Sequence, residues 1–380
     1  MPQVDKLSRG SRVRILYLTD NNSVHNRGFL GKLVRAGHEV WFWNLTAAQP
    51  ENGLPNGAQP VLSKKSVDRN ASPAQYREFL PQFQSVLKEL QPALVHAGPI
   101  QSAGYLTALA DFHPMLLVSW GSDLLMDADR NSEWKQATEF ALRKADAFFC
   151  ECDPARSKAN SFREFSDSRI VQFPWGVRQG VFSPVGPLPP SDRFTRRAGI
   201  TTFIYTRSYD PLYGTDVLFD GFLRARSANP SLRLLLLGNG SQDVSIRSFV
   251  QAHDLNDAVS LLGPQPTEEL PMWFRAADAY VSCAKSDGTS ISMLEAMATG
   301  LPVVVTDIPS NRKWVAEPDN GWLAPVGSPQ GVAERMLQVA NLTPQERKTI
   351  AERNQRAVAE RADWDKNFPR LLEMYERLVS

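Results

Sequence analysis

The sequence predicts an α/β protein with two doubly wound, Rossmann-like domains, each built on a parallel sheet. Apolar stretches of strand length alternate with helix-length amphipathic segments, and this alternation occurs twice along the chain. Some strand candidates, such as 234–237 and 303–305, are apolar at every position, which is typical of parallel strands that helices cover on both faces. Repeated alternation of this kind indicates doubly wound sheets.

The predicted strands form two sets. The first set comprises residues 13–18, 40–44, 93–96, 115–120, 147–152 and 170–173, and the second comprises 202–206, 232–237, 259–262, 279–283 and 302–306. Helical periodicity occurs at 76–90 and 216–228 between strands, and at 364–379 after the last one. A proline-rich stretch at 183–192 separates the sets, as expected of a linker. We therefore predict a first domain over 1–180, joined by the C-terminal helix 364–380, and a second over 181–363.

Composition limits the classes of function. A chain of 380 residues with 42% hydrophobic and 22% charged residues is typical of a soluble globular protein of two domains. The net charge of +1 argues against a nucleic-acid partner. The three cysteines form neither a disulfide framework nor a four-ligand zinc site. Because no apolar stretch approaches the roughly 20 residues of a membrane span, we expect a cytoplasmic protein.

Positive charge is concentrated near the N-terminus. Residues 1–35 contain seven Lys or Arg and two acidic residues. The basic and apolar residues that follow the first strand are Arg27, Lys32, Arg35, Phe29, Leu30 and Leu33. This surface is expected to meet an anionic membrane on the cytoplasmic face; the alternative is that the apolar side chains pack on the sheet and the charges are solvated.

The segment 282–302 carries the clearest functional pattern. A buried strand ends at Cys283, a loop of small residues follows, and a helix is predicted to start near Thr289 or Ser290. A helix start offers unpaired N–H groups that bind a diphosphate. Glu295 lies beside the apolar stripe of this helix, where a carboxylate needs partners. One candidate partner is a ribose diol of a ligand. The alternative is a partner within the protein, either a backbone amide or an arginine.

The segment also resembles a known signature. Asp287 and Glu295 are separated by seven residues, as in the E-x7-E motif of retaining glycosyltransferases of family 4. Further resemblances follow in the family's order: Gly37-His38-Glu39-Val40, Trp175-Gly176-Val177 with Phe182-Ser183-Pro184, Thr206-Arg207, Leu237-Gly238-Asn239-Gly240, and Trp364 with the final helix. The resemblance spans nearly the whole chain and implies the GT-B fold, in which two Rossmann-like domains face a central cleft.

The resemblance implies roles for residues of the second domain. Glu295 would bind the ribose hydroxyls, and Arg207 would neutralise the diphosphate. Asp287 would hold the transferred sugar together with the loop that follows it. The other residues expected to bind the donor here are Gly288, Thr289, Ser290, Gly238 and Leu262, the last of these near the base.

The second domain also departs from the family. Tyr213, before Gly214, stands where a phosphate-binding lysine is usual, and Lys285 is the nearest cation in sequence that would replace it. Tyr213 is still expected to line the donor site. The first acid of the motif is Asp287 rather than glutamate, and the interdomain aspartate is Arg178.

The first domain departs as well. His25, in the loop after the first strand, is expected to approach the donor phosphate. A family histidine within a T-x-H-G-x-D pattern is replaced by Trp120, whereas Asp123 of that pattern is present and is expected to assist donor binding. His96, at a strand end, is the candidate replacement for the lost histidine; the alternative is a structural role.

We therefore expect a retaining glycosyltransferase that moves a sugar from a UDP- or GDP-type donor to a glycan, lipid-linked or small-molecule acceptor. Catalysis is assigned to Asp287, Arg207 and His96, with no cofactor and no metal. Asp127-Ala128-Asp129 spells the D-x-D of metal-dependent transferases, but a solvated helix start explains it better. Two alternatives stay open: a nucleotide-sugar epimerase and a non-catalytic sugar-nucleotide-binding subunit.

Overall fold

The computed structural model describes residues 12–47, 53–63, 65–68, 71–178, 180–191 and 194–380. Lys6 and Arg9 of the basic N-terminal segment, and Asp192 of the proline-rich stretch, lie outside these residues. The chain divides into two compact units, one formed by Met1–Gln172 with Phe368–Ser380 and the other by Phe173–Asn367.

The first unit contains a parallel sheet of seven strands in the order β3-β2-β1-β4-β5-β6-β7. Its strands are β1 (Arg14–Thr19), β2 (Glu39–Asn44), β3 (Ala58–Pro60), β4 (Leu94–Ala97), β5 (Met115–Val118), β6 (Ala147–Cys150) and β7 (Ile170–Gln172). Its helices are α1 (Val24–Arg35), α2 (Pro73–Arg77), α3 (Leu80–Leu90), α4 (Tyr105–Leu109), α5 (Ser122–Leu125), α6 (Ser132–Lys144) and α7 (Asp153–Phe162). The central strands β4, β5 and β6 are buried at every residue, as the apolar runs predicted.

The second unit contains a parallel sheet of six strands in the order β10-β9-β8-β11-β12-β13. Its strands are β8 (Thr201–Tyr205), β9 (Leu232–Leu236), β10 (Val259–Leu261), β11 (Ala279–Ser282), β12 (Val303–Thr306) and β13 (Gly321–Ala324). Its helices are α8 (Thr215–Ala228), α9 (Asp243–Ala252), α10 (Leu270–Ala276), α11 (Ile291–Ala298), α12 (Pro329–Ala340), α13 (Pro344–Arg361) and α14 (Trp364–Asn367). The last helix, α15 (Pro369–Val379), belongs to the first unit.

All predicted strands are present, but two edge strands and two helix breaks were missed. The short strand β3 is largely exposed, so it has no apolar pattern, and β13 begins at a glycine. The helix predicted over 76–90 is divided into α2 and α3, and α14 and α15 are likewise separate. Pro81 and Pro369 lie in the first turns of α3 and α15, where proline is tolerated because those N–H groups have no helical partner.

The boundary between the units lies at residue 172 rather than at the predicted 180. Val177 forms a parallel bridge with Asp363, and its amide donates to the carbonyl of Ala362. The indole rings of Trp175 and Trp364 stack at 6.4 Å. These contacts hold the segment after β7 on the second unit, which a strand count alone does not show.

No helix among the described residues is both long enough and apolar enough to cross a membrane.

Candidate functional site

The strand order of the second sheet indicates a candidate ligand site. Strand β8 lies between β9 and β11. After β8 the chain forms β9 and β10 on one side of it, and it then crosses to form β11 on the other side. In open α/β sheets the crevice at the carboxyl ends of two such strands is the usual ligand site. Arg207 follows β8 and Asp287 follows β11, and both therefore lie at this point of the sheet.

Arg207 and Asp287 form an ion pair, with the Nη2 and Oδ2 atoms 2.8 Å apart. Their side chains are only 14% and 17% exposed, so water screens the pair weakly. The guanidinium also lies over the ring of Tyr213, 4.4 Å from its centroid. Burial by itself lowers the pKa of Arg207, but Asp287 and the nearby tyrosines raise it above its ordinary value. The site therefore contains a permanent cation whose charge Asp287 largely neutralises.

The start of α11 is tied to the same arginine. Ser290 caps the helix by accepting a hydrogen bond from the amide of Met293 at 3.3 Å, and it accepts another from Arg207 at 3.0 Å. Gly288 and Thr289, between Asp287 and this cap, are buried. A helix start with an adjacent guanidinium is suited to an anion such as a diphosphate.

Glu295 lies on α11, five residues after its cap. Its side chain is partly buried, and within the described residues its carboxylate forms no hydrogen bond or ion pair. Burial raises the pKa of Glu295 to about 8, an effect that Arg178 and then Arg207 partly oppose. A carboxylate without a protein partner in such a place is costly unless a ligand supplies hydrogen-bond donors.

Two glycines allow the loops of this site to approach one another. A Cβ on Gly238 would lie 2.4 Å from the carbonyl oxygen of Arg207, and one on Gly214 would lie 2.2 Å from that of Cys283. Gly214 also has a φ of +63°. Close packing of the loops therefore explains why glycine occupies both positions. A contact between Gly238 and the donor stays a prediction.

Lys285 and Leu262 have different surroundings. The amide of Lys285 donates to the carbonyl of Leu212 at 2.8 Å, while its side chain is exposed and has no ion pair with any described residue. The main-chain groups of Leu262 are both used: its amide bonds to Leu236, and its carbonyl accepts from Gln265 at 2.9 Å. A base that meets Leu262 therefore meets its side chain, or displaces Gln265.

His96 lies in the core of the first unit, which corrects its assignment to catalysis. The side chain is 1% exposed, and its ring stacks on Tyr17 with centroids 4.1 Å apart. Its Nδ1 hydrogen-bonds with the hydroxyl of Tyr375 on α15. Burial lowers the pKa of His96 to about 3, so the imidazole stays neutral. An enclosed, neutral ring cannot exchange a proton with a substrate, and the structural alternative fits.

Asp123 also has a structural role instead of the expected one in donor binding. It is 3% exposed, and its carboxylate accepts hydrogen bonds from the hydroxyl of Ser119 and from the amides of Ile100, Trp120 and Leu124. Burial raises its pKa to about 6, although these hydrogen bonds oppose the shift. With both oxygens engaged, Asp123 fixes the loop after β5 that contains Trp120.

His25 lies in the first turn of α1, two residues after the cap Ser23. A polar network that the sequence interpretation missed lies nearby at the end of β1. Asp20 accepts from the hydroxyl of Ser102 at 2.9 Å and from the amide group of Asn21 at 3.0 Å. Since β1 lies between β2 and β4, this is the point of reversal of the first sheet. Asp20 directly follows the first apolar strand, and that signal could have identified it.

Asp127 and Asp129 lie in a short 3₁₀ turn. Asp129 pairs with Lys158 at 2.5 Å, and burial raises the pKa of Asp127. Among the described residues no group of three or more His, Cys, Asp or Glu side chains is arranged to hold a metal ion.

Comparison with known proteins agrees with this architecture. Residues 14–152 match the family described as "Glycosyl transferase 4-like", and residues 194–357 match "Glycosyl transferases group 1". One relative is the D-inositol 3-phosphate glycosyltransferase of Pseudarthrobacter chlorophenolicus, 32% identical over 144 residues, which are 37% of this chain and 34% of the relative. Such alignments cover only about a quarter to a half of the first curated relatives.

Two solved structures show the same fold over their full length. The sucrose-phosphate synthase of Thermosynechococcus elongatus superposes with a TM-score of 0.80 at 17% identity, over 96% of this chain and 99% of the other. The Anabaena protein HepE, in complex with UDP and glucose, superposes with a TM-score of 0.76 at 16% identity, over 97% and 100%. With both halves of the chain matched by family models, the protein belongs to family 4 of the glycosyltransferases and has their GT-B fold.

Proposed function

We propose that this protein is a retaining, metal-independent glycosyltransferase that takes a sugar from a UDP- or GDP-type nucleotide sugar. The acceptor is a glycan, a lipid-linked sugar or a small molecule. The observation that carries the proposal is Glu295, a partly buried carboxylate that has no hydrogen-bond partner among the described residues. It lies on the helix whose start is bonded to Arg207.

In this proposal the site contacts two parts of a nucleoside diphosphate, the ribose and the diphosphate. Glu295 accepts hydrogen bonds from the two ribose hydroxyls, while Arg207 and the main-chain amides at the start of α11 hold the diphosphate. Asp287 holds Arg207 and faces the transferred sugar. The solved structures of HepE in complex with UDP and glucose and with UDP-glucose support a uridine donor.

Transfer would then proceed on one face of the sugar. The sugar–phosphate bond breaks, the departing diphosphate oxygen takes the proton of the acceptor hydroxyl, and that hydroxyl oxygen bonds to the anomeric carbon from the same face. Charge develops on the diphosphate, where Arg207 and the α11 amides are already oriented, so the protein stabilises the transition state without rearrangement. This chemistry requires neither an enzyme nucleophile nor a catalytic histidine, and it is therefore compatible with the burial of His96.

A panel of nucleotides and nucleotide sugars tests the donor assignment. We expect UDP or GDP, with the matching nucleotide sugars, to raise the melting temperature in the presence of EDTA, because a ligand that binds only the native state stabilises it. At a concentration of about 100 times Kd the gain in the free energy of unfolding is about 2.7 kcal/mol. A Glu295→Ala variant, measured in parallel, should lose most of the shift.

The same samples separate the alternatives. Isomerised sugar nucleotide formed without an acceptor would indicate an epimerase, and stabilisation without turnover on any acceptor would indicate a binding subunit. If no nucleotide raises the melting temperature, the donor-site assignment is wrong. Transfer products with the anomeric configuration of the donor, identified by NMR, would support retention, and the inverted anomer would contradict it.

Contact with an anionic membrane stays a proposal, but on electrostatic grounds alone. Phe29, Leu30 and Leu33 are fully buried, so the expected apolar contribution of α1 to membrane binding is wrong. Arg35 remains exposed on the helix, and Arg27 and Lys32 are partly so. Basic residues near an anionic surface contribute about 1 kcal/mol each.

We therefore expect co-sedimentation with phosphatidylcholine vesicles only when they also contain phosphatidylglycerol, and loss of binding at high salt. A variant in which these three residues are glutamine should stay in the supernatant. Equal partitioning onto both kinds of vesicle would contradict electrostatic binding to an anionic membrane.

A further inference from the structure

A cavity of about 430 Å³ lies in the first unit, between the helices α2, α4 and α6. This volume is within the range of small-molecule sites, about 300–1,000 Å³. None of the residues assigned to the donor lines it. Its polar and aromatic lining residues are Arg77 on α2, Tyr105 on α4, and Glu133, Gln136 and Phe140 on α6.

Contacts between the three helices fix the walls of this cavity. Arg77 donates a hydrogen bond to the hydroxyl of Tyr105 at 2.5 Å, which joins α2 to α4. The main-chain amide of Ala74 donates to Oε1 of Glu133 at 2.9 Å, which joins α2 to α6. The rings of Tyr105 and Phe140 pack edge to face, with their centroids 6.0 Å apart. The cavity is therefore formed before a ligand arrives, which lowers the entropic cost of binding.

The charges around the cavity balance one another. Arg77 and Glu133 are the two charged groups among the described residues that line it, so an anion meets a carboxylate and a cation meets a guanidinium. Polar groups remain available for a neutral ligand. Within the described part of the chain, Oε2 of Glu133 and the side-chain amide of Gln136 have no hydrogen-bond partner. Together these groups offer donors and acceptors, as the hydroxyls of a sugar require.

Two aromatic rings supply the apolar part of the lining. Tyr105 is buried, Phe140 is half-buried, and their ring planes meet at 79°. The face of an aromatic ring carries partial negative charge, which attracts polarised C–H groups such as those on one face of a pyranose. An aromatic surface beside hydrogen-bond donors and acceptors is therefore suited to a sugar ring.

We propose that this cavity is a carbohydrate-binding site that takes a neutral sugar residue. Arg77, Glu133 and Gln136 bind its hydroxyls, and Phe140 packs against its C–H face. The inference goes beyond the proposed function and does not depend on the donor chemistry, so it is tested without nucleotide.

Saturation-transfer NMR with the methyl glycosides of glucose, galactose, mannose and N-acetylglucosamine tests the site. We expect at least one of them to bind with a Kd of about 1 mM. Gln136→Ala should weaken this binding by about three- to tenfold, because a hydrogen bond is lost. Ala74→Trp keeps the amide that bonds to Glu133 but adds a large ring at a lining position, so it should abolish binding.

Charged sugars test the balance of charge. Methyl glucuronide and the methyl glycoside of glucosamine should bind the parent no more tightly than the neutral glycosides do. Glu133→Gln keeps an acceptor for the amide of Ala74 and removes the negative charge, so it should bind methyl glucuronide better than the parent does.

Gln84→Ala is the matched control for Gln136→Ala. Gln84 lies on α3, is exposed, has no hydrogen bond with any described residue, and does not line the cavity. This variant should bind the sugar as the parent does. Melting temperatures of all variants show whether each is folded.

Three results would overturn the inference. The parent could bind none of the four neutral glycosides. The sugar could bind Ala74→Trp as tightly as the parent, which would place it elsewhere on the protein. A charged sugar could also bind the parent more tightly than every neutral one, which would indicate an ion site. UDP and GDP binding, measured on the same samples, shows separately whether the proposed function holds.

Discussion

Replacement of Arg207 by alanine is expected to lower kcat/KM for sugar transfer by about 100- to 1,000-fold, the usual cost of removing one group that stabilises developing charge. The guanidinium bonds to the cap of α11 and pairs with Asp287, so its loss affects both the diphosphate site and its nearest acid. Initial rates with saturating and limiting donor measure the effect.

The same replacement should also destabilise the protein. Asp287 is only 17% exposed and would lose its ion-pair partner, and breaking a buried pair by removing one member costs about 3–5 kcal/mol. Because Asp287 keeps some exposure, we expect the lower part of that range. For a domain of this size about 1 kcal/mol changes the melting temperature by about 2–4 °C, so thermal unfolding detects it.

Asp287→Asn is the matched variant, and it should behave differently. It keeps the size of the side chain and frees the charge of Arg207, so affinity for the free diphosphate should be unchanged or higher. Turnover should fall, because the carboxylate that positions Arg207 and faces the sugar is gone. If Arg207→Ala binds diphosphate as tightly as the parent while Asp287→Asn binds it weakly, the assigned roles are reversed and the proposed site chemistry is wrong.

Replacement of Glu295 by alanine should weaken nucleoside diphosphate binding by about ten- to a hundred-fold, which corresponds to about 1.5–3 kcal/mol for hydrogen bonds to a charged group. The proposed partner is the ribose, which donor, diphosphate and free nucleoside share, so all three should weaken together. Inorganic pyrophosphate has no ribose, and its binding should not change. Isothermal titration of these ligands measures the pattern.

Because the pKa of Glu295 is raised, both the stability of the fold and the affinity for nucleotide should depend on pH. Below the ordinary value of 4.5 the carboxyl is protonated in the folded and the unfolded chain, so it contributes nothing. Between 4.5 and about 8 the unfolded chain releases a proton that the folded protein keeps, so Glu295 increasingly destabilises the fold as the pH rises.

Glu295→Gln should therefore melt at the same temperature as the parent in acid and at a higher one near pH 8. Ligand binding should show the opposite trend. Ribose hydroxyls favour the ionised carboxylate, so the affinity of the parent relative to Glu295→Gln should rise as the pH approaches 8.

A structural role for Glu295 makes a different prediction. If Glu295 only anchors α11, both replacements lower the melting temperature at every pH and leave the affinity for nucleotide unchanged. A variant that binds nucleotide as well as the parent would remove the observation on which the proposed function depends.

The sequence by itself determined the architecture, and it predicted a position for the donor site. Strand and helix periods are local, so the alternation of 2- and 3.6-residue patterns predicted both sheets before any contact was known. The spacing of Asp287 and Glu295 across a strand end and a helix start is local too, and it identified the family. The structure places both acids on one loop-and-helix segment, as expected.

Tertiary structure decided which of the candidate groups can meet a ligand, because burial and partners depend on residues distant in sequence. His96 stands at a strand end, as a catalytic histidine would, yet Tyr17 and Tyr375 from other elements enclose it. The Arg207–Asp287 pair joins the ends of β8 and β11, which the sheet brings together. The bridge between Val177 and Asp363 likewise joins residues far apart in sequence, so no local pattern could predict it.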